Sequence, residues 1–263
     1  MRLYWEVAKR GFRRYSTYRA AIAAGVFTNC IFGFIKCYVL IALLRFKPHI
    51  GGYDMTDAVT FAWLTQAALM TVQVFAWYDI ALRIRSGDVV TDLYRPLDFQ
   101  AYWLAQDLGR AFLQLLFRGI PPFLVGALFF TLRVPVNPGV WVAFLASLTL
   151  AVLISFSMRF MLNLAAFWLL DYRGVMTLAI ALWLLLAGLE LPISFFPHWL
   201  ERIARALPFA GMFQVPADIF LGKMAGPHIV SGLAFQAAWA VALLGAGRLM
   251  LAAATRRLVV QGG

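Results

Sequence analysis

Along the chain, apolar residues run on without the every-second-residue alternation of a half-buried strand, in six stretches near 20–44, 57–82, 108–132, 139–170, 174–191 and 228–252. A helix needs about 20 apolar residues to cross the hydrocarbon core of a bilayer. The pattern therefore predicts six transmembrane helices in an all-α, polytopic membrane fold. A membrane β-barrel would show segments of about ten residues alternating apolar and polar instead.

Ahead of the first run, Tyr4, Ala8, Phe12 and Tyr15 recur at helical spacing, while Arg2, Glu6, Lys9, Arg13 and Arg14 cover the remaining surface. Residues 1–19 read as an amphipathic helix lying at the membrane interface, with 20–263 as the transmembrane domain. The same aromatics and arginines would also serve as a basic flank that orients the first span. A signal peptide would have an apolar core of only about 7–15 residues, whereas the run from Ala20 to Leu44 is long enough to span.

Composition supports the membrane assignment. Hydrophobic residues make up 63% of the chain and charged residues 13%, with a mean hydropathy of +0.79, against about 45–50% apolar and about 25% charged in soluble proteins. Orientation follows from Lys and Arg near span ends, which stay in the cytoplasm. With both termini inside, Arg2, Lys9, Arg10, Arg13, Arg14, Arg19, Arg83, Arg85, Arg95, Arg173, Arg248, Arg256 and Arg257 are cytoplasmic. Only Arg45, Lys47, Arg133, Arg202, Arg205 and Lys223 fall outside. The net charge of +11 comes from residues flanking apolar spans rather than from an aromatic-interleaved patch, so it points to anionic lipid and not to nucleic acid.

Little in the chain carries catalytic chemistry. Cys30 and Cys37 stand two helical turns apart, too far for a disulfide. His49, His198 and His228 have no metal-ligand spacing, and Ser194 with His198 lacks an orienting acid, so neither a metal site nor a catalytic residue is assigned. The Gly-x-x-x-x-Gly-Lys-Ser/Thr phosphate loop is missing, and Gly222-Lys223 is followed by Met224. The chain is not expected to hydrolyse ATP by itself, nor to carry a cofactor.

Two segments between spans are unusual. GDVVTDLYRPLDFQAYWLAQDLGR, from Gly87 to Arg110, combines Asp88, Asp92, Asp98 and Arg95 with Pro96 and cannot lie in lipid. It reads as a docking element, or else as a plain solvated loop. In the region 192–226, Pro192, Pro197, Pro208 and Pro216 cut the chain into pieces too short to span. There, Trp199, Leu200, Ile203 and Leu207 share one helical face and Glu201, Arg202 and Arg205 the other, as in a shallow re-entrant or interfacial element. An ordinary extracellular loop is the plainer reading.

Lys36, Arg118 and Arg159 lie inside predicted spans, where a charge costs roughly 2.5–3.5 kcal/mol on insertion scales. They either line a cavity for an anionic head group or form structural bridges with Asp79, Asp107 or a neighbouring subunit. Arg118 precedes Gly119, Pro121 and Pro122, where the third span is expected to kink.

Taken together, the layout resembles the permease subunits of ABC exporters of the ABC-2 type, over essentially the whole chain. The segment Gly87 to Arg110 is similar to the Gly-x-x-x-x-x-Leu-x-x-Pro-Leu stretch of a branch whose permeases are encoded in pairs beside one ATPase. LPISFFPHWLERIARALPFAGMFQVPADIFLG is similar to that family's segment before the last span. The resemblance implies a cytoplasmic coupling region over 84–106, with Gly87, Asp88, Asp92, Leu93, Arg95, Pro96, Leu97 and Asp98 meeting the ATPase. It also implies an ABC ATPase partner in two copies that binds ATP and Mg, a second permease, either a paralogue or a second copy, and a place in the bacterial cytoplasmic membrane. Lys36, Arg118 and Arg159 become substrate-path candidates. An ion-coupled secondary transporter would be expected to show inverted repeats and midplane acids, and a lipid-modifying enzyme would need clustered His, Asp or Glu at one interface. Both stand as alternatives.

Overall fold

The computed structural model describes residues 2–17, 19–75, 77–169 and 173–256; Arg257 and Leu170, which belong to the expectations above, lie outside these. The described residues form an all-helical bundle, with an isolated bridge between Ile50 and Tyr53 as the only extended pairing among them. In chain order the helices are α1 (Arg2–Ser16), α2 (Arg19–Phe46), α3 (Met55–Val72), α4 (Asp79–Ser86), α5 (Val89–Leu93) and α6 (Phe99–Gln114). Then follow α7 (Ile120–Phe129), α8 (Pro138–Leu164), α9 (Arg173–Leu186), α10 (His198–Ala206), α11 (Gln214–Phe220) and α12 (Pro227–Thr255). Among the described residues four segments, Arg19–Phe46, Phe99–Phe129, Pro138–Phe167 and Pro227–Thr255, are long and apolar enough to cross a membrane.

Two of the expected spans look different in three dimensions. The expected second span, 57–82, is interrupted: α3 stops at Val72, and the chain turns through Gln73 (φ 57°) before α4 begins at Asp79. The expected fifth, 174–191, is helical only to Leu186, because Gly188 (φ 71°) turns the chain out of the helix ahead of Pro192. Its 14 residues make a rod of about 21 Å at 1.5 Å per residue, shorter than the roughly 30 Å core of a bilayer.

α3 is the centre of the bundle. An Asp54/Asp57 capping box starts it, and it is buried on nearly every side, whereas the long helices around it bury one stripe each. On α2 that stripe is Gly25, Asn29, Gly33, Lys36, Cys37, Leu40 and Leu44, at the three- and four-residue spacing of a single face. The opposite face, with Phe27, Phe32, Ile35 and Val39, is exposed. α8 and α12 pair along their length, pinned where Ser147 Oγ donates to Gln236 Oε1 (2.8 Å) and Gln236 Nε2 returns a bond to the Ser147 carbonyl (3.0 Å).

The third long helix begins nine residues earlier than its apolar run. Asp98 caps α6 by accepting from the Ala101 N–H at 2.7 Å, so Phe99 to Gln106 are its first two turns. It continues into α7 through a wide π-type turn at Leu115–Gly119. Pro121 and Pro122 supply no N–H there, and the Arg118 carbonyl that Pro122 leaves open accepts from Asn29 Nδ2 at 3.4 Å.

α1 lies along α6, where Val7 and Gly11 are buried and Tyr4, Ala8, Phe12 and Tyr15 are half-buried. The contact is close because glycines face each other's helix: a Cβ on Gly109 would fall on the Ala8 carbonyl oxygen, and one on Gly11 on that of Gln106. In a free helix, Gly109→Ala would gain roughly 0.5–1 kcal/mol. Here the sign reverses. We expect Gly109→Ala to lose about 1–3 kcal/mol by overpacking, seen as a lower thermal midpoint in detergent and faster proteolysis between α1 and α2. An unchanged midpoint would mean that α1 does not hold its seat on α6.

Candidate functional site

The docking element expected from sequence is folded back on itself. α4 closes with Gly87 in the left-handed region (φ 82°), where a side chain would be strained, and α5 follows at once. Asp88 is exposed and accepts from Ser86 Oγ at 2.8 Å. Asp92 points inward: it is buried and holds Arg83 (2.5 Å) and Arg95 (3.3 Å). Leu93 is half-buried against Ile80, Val89 and Phe99, Leu97 is half-buried, and Pro96 is exposed. Asp98 is occupied as the α6 cap, with Arg248 3.5 Å away.

What remains outward is a surface of Leu82 (55% exposed), Tyr94 (77% exposed), Asp88 and Arg95. Leu82 and Tyr94 were not among the expected contact residues. Tyr94 stands beside the Arg-Pro pair that drew attention, but only the α5 geometry shows that it projects while its neighbour Leu93 packs.

Behind this element lies a buried ionic cluster. Asp107 on α6 accepts from Arg110 Nε at 2.7 Å and from Arg159 of α8 through Nη2 at 2.7 Å and Nη1 at 3.3 Å. All three side chains are under 5% exposed. Two cations against one anion leave a surplus positive charge. The end of α3 meets it: Arg110 donates to the Met70 carbonyl (2.7 Å) and the Thr71 carbonyl (3.1 Å), the negative end of that helix dipole. Arg159 also sits over the Trp77 ring at 5.5 Å.

Side chains of α8 bond backbone groups of the turn between α3 and α4 and of α4 itself. Ser155 Oγ donates to the Gln73 carbonyl (2.9 Å), Asn163 Nδ2 to the Trp77 carbonyl (2.7 Å), and Asn163 Oδ1 accepts from the Ala81 N–H (3.0 Å). Arg14 of α1 then pairs with Asp79 at the start of α4 (2.8 Å). Arg159, expected as one of three cations on a substrate path, is thus enclosed among protein groups, while Lys36 and Arg118 face a cavity of about 800 Å³ between α2, α3, the π-type turn ahead of α7, and the end of α9. Lys36 Nζ donates to Thr65 Oγ1 (2.8 Å) and to the Leu189 carbonyl.

Residues 30–262 match the model of a family described as ABC-2 family transporter protein. The chain belongs to the ABC-2 transporter family. No curated protein and no solved structure matches it. As an ABC-2 permease it is the transport component in the membrane of an ABC transporter, and the family implies an ATPase partner.

At the opposite end of this permease from α5, the segment between α9 and α12 is tied to the start of α3. Asp57 holds Lys223 (2.5 Å) and Arg133 (2.7 Å), and Arg133 also reaches Asp54 (2.7 Å). Asp218 on α11 accepts from Tyr53 Oη (3.0 Å) and Gln214 Nε2 (2.7 Å), with Arg205 of α10 at 3.4 Å. The polar face of α10 therefore turns partly inward, and it is Trp199 (65% exposed) and Ile203 (48% exposed) that project. Of the charged face expected for this helix, Arg205 is drawn to Asp218 and half-buried, while Arg202 is exposed.

Two outcomes follow from these networks. Asp107→Asn leaves two buried guanidiniums without a counter-charge, and breaking a buried pair in this way costs about 3–5 kcal/mol. We expect poor yield and a sharply lowered thermal midpoint, with Asp107→Glu recovering part of both. The second outcome concerns pH. Burial raises the Asp218 carboxyl above its ordinary value, against the opposing pull of Arg205 and of the bonds from Gln214 and Tyr53. The folded state then holds a proton that the unfolded state releases near pH 4. This contribution is fully present at low pH and is lost as pH rises from about 4 through the raised value. Thermal unfolding in detergent across that range should show a falling stability component that Asp218→Asn removes; parallel profiles for the two proteins would refute it.

Proposed function

We propose that this chain is the permease subunit of an ATP-driven exporter in the bacterial cytoplasmic (inner) membrane, with six membrane passes and both termini cytoplasmic. α3 with α4 and the shorter α9 would complete the six, α9 crossing where neighbouring protein shortens the span. A second permease, a paralogue or another copy, faces it across the substrate path, and two copies of a separate ABC ATPase bind ATP and Mg and drive it. The basic residues of α1 rest on anionic lipid head groups.

The observation that carries this reading is the interrupted helix α3–α4. Its detached part ends in an exposed surface around Tyr94 and Leu82, at the end of the bundle where α1 also lies. A large aromatic exposed on a short, internally braced element suits it to fill a pocket on a partner, since buried aromatic anchors dominate interface energies. The internal pairing of Asp92 with Arg83 and Arg95 would keep α4 and α5 moving as one body. Closure of the ATPase pair would press on that body and tilt α3 through the contacts of Arg110, Ser155 and Asn163. Lys36 and Arg118 would then face cargo in the path.

The test is affinity purification of the chain from its native gene neighbourhood, followed by mass spectrometry and ATPase assay. We expect an ABC ATPase to copurify in fixed ratio with the permease. Tyr94→Asp combined with Leu82→Asp should lower its retention at least thirtyfold, in line with an interface hot spot of about 2 kcal/mol, with an unchanged elution profile of the permease. Full retention by the double variant would sink the docking assignment.

A further inference from the structure

We propose that the cavity between α2, α3, the π-type turn ahead of α7, and the end of α9 binds an amphipathic anion, its acidic head group on Arg118 and its apolar body against Phe32, Ile35 and Val39. This names the substrate class for the path proposed above and rests on that reading.

Electrostatic demand distinguishes Arg118 from the other intramembrane cations. Arg159 is neutralised by Asp107 and Lys36 is hydrogen-bonded to Thr65 and the Leu189 carbonyl. Arg118 Nε is buried and has no hydrogen-bond acceptor, and its guanidinium has no ion-pair partner among the described residues. The side chain lies against Gly25, so close that a Cβ there would overlap it, and glycine has no side chain to supply an acceptor. An ionised side chain at membrane depth faces the bundle interior or a water-filled cavity and pairs with an opposite charge or with backbone carbonyls. Among the described residues neither kind of partner meets the Arg118 Nε, and the side chain lines a cavity whose occupant can supply one.

The rest of the wall fits an amphiphile. The cavity, about 800 Å³, lies within the range of about 300–1,000 Å³ usual for small-molecule sites. Phe32, Ile35 and Val39 are each more than half exposed along one face of α2, an apolar track leading away from Arg118. Gln66 lines the same space from α3. Lys36 adds positive potential, having no carboxylate at ion-pair distance among the described residues. Glu190, the one acid on the wall, is exposed to water beyond the end of α9, and it lies near enough to Lys36 to offset part of that potential while making no ion pair with Arg118. A cationic cargo would leave Arg118 unmet and gain only that hydrated carboxylate.

The experiment is fluorescence titration of the purified transporter, in neutral detergent and without nucleotide, with three probes of matched length. These are dansylaminoundecanoic acid, its methyl ester, and the corresponding dansyl alkylamine. The acid should bind at least tenfold more tightly than either of the others. Arg118→Gln should remove about tenfold or more of the acid's affinity, as expected for losing a charge-assisted hydrogen bond, and leave the ester unchanged. Phe32→Ala should weaken acid and ester alike. Equal binding of the acid and the ester or amine by the unaltered protein overturns the proposal whether or not Arg118→Gln folds. So does a monodisperse Arg118→Gln that keeps the acid's affinity. Displacement of the probe by phosphatidylglycerol would identify a resident bilayer lipid as the occupant; displacement by dodecanoate alone would identify a smaller exported acid. Because no ATPase step is read, failure here leaves the coupling assignment standing, and loss of the ATPase leaves the probe binding to be judged by itself.

Discussion

The buried triad of Asp107, Arg110 and Arg159 is the constraint on which the α5 end of this permease depends. One carboxylate cannot balance two guanidiniums in a low-dielectric interior, where an unmatched charge is among the costliest of defects. The surplus is met by carbonyls, and in a helix without proline carbonyls become free where the helix ends. The termination of α3 at Val72 and the second arginine are therefore two halves of one arrangement: Arg110 needs the Met70 and Thr71 carbonyls, and those carbonyls need Arg110. A straight helix over 57–82 would have closed its own hydrogen bonds and left Arg110 with only the Asp107 carboxylate that it shares with Arg159.

That coupling explains what could and could not be read from the chain. Helicity, membrane location and the apolar character of the long spans follow from continuous apolar runs, which have one physical solution in lipid. The interruption of α3 leaves no such mark. The residues from Val72 to Tyr78 include neither glycine nor proline, and Gln73 adopts its positive φ because Ser155, Asn163 and Arg110, on other helices, take up the backbone groups it frees. Long-range polar satisfaction overrides local propensity there. For the same reason Asp107 was visible as one possible partner of an intramembrane cation, but not as the partner of two.

The candidate coupling element was legible in position and not in detail. Gly87 marked a turn, and the acids and Pro96 excluded lipid. Which side chains face out depends on a five-residue helix whose orientation is set by Asp92 gripping Arg83 and Arg95, and a helix that short has no amphipathic pattern to read. The packing of α1 was likewise half legible: its apolar stripe was plain, but the surface it covers was not. Gly11 and Gly109 lie far apart in sequence, and neither announces that its missing Cβ is filled by the other helix's backbone.

The same reasoning separates the three cations that the apolar runs made conspicuous. An intramembrane charge is informative in proportion to what the fold leaves undone around it, not in proportion to its depth. Arg159 is the most deeply buried, yet it is answered by Asp107, Ser155 and the Trp77 ring, so its charge is accounted for by the architecture. Arg118 sits beside a proline-opened turn whose freed carbonyl is taken by Asn29, so the backbone there is satisfied while the side chain is not. A helix that stabilises its own irregular turn through a neighbour's amide, and holds an unanswered guanidinium over a cavity, has separated the structural requirement from the electrostatic one. The first is met within the chain. The second is left, in the proposal above, to what enters the cavity.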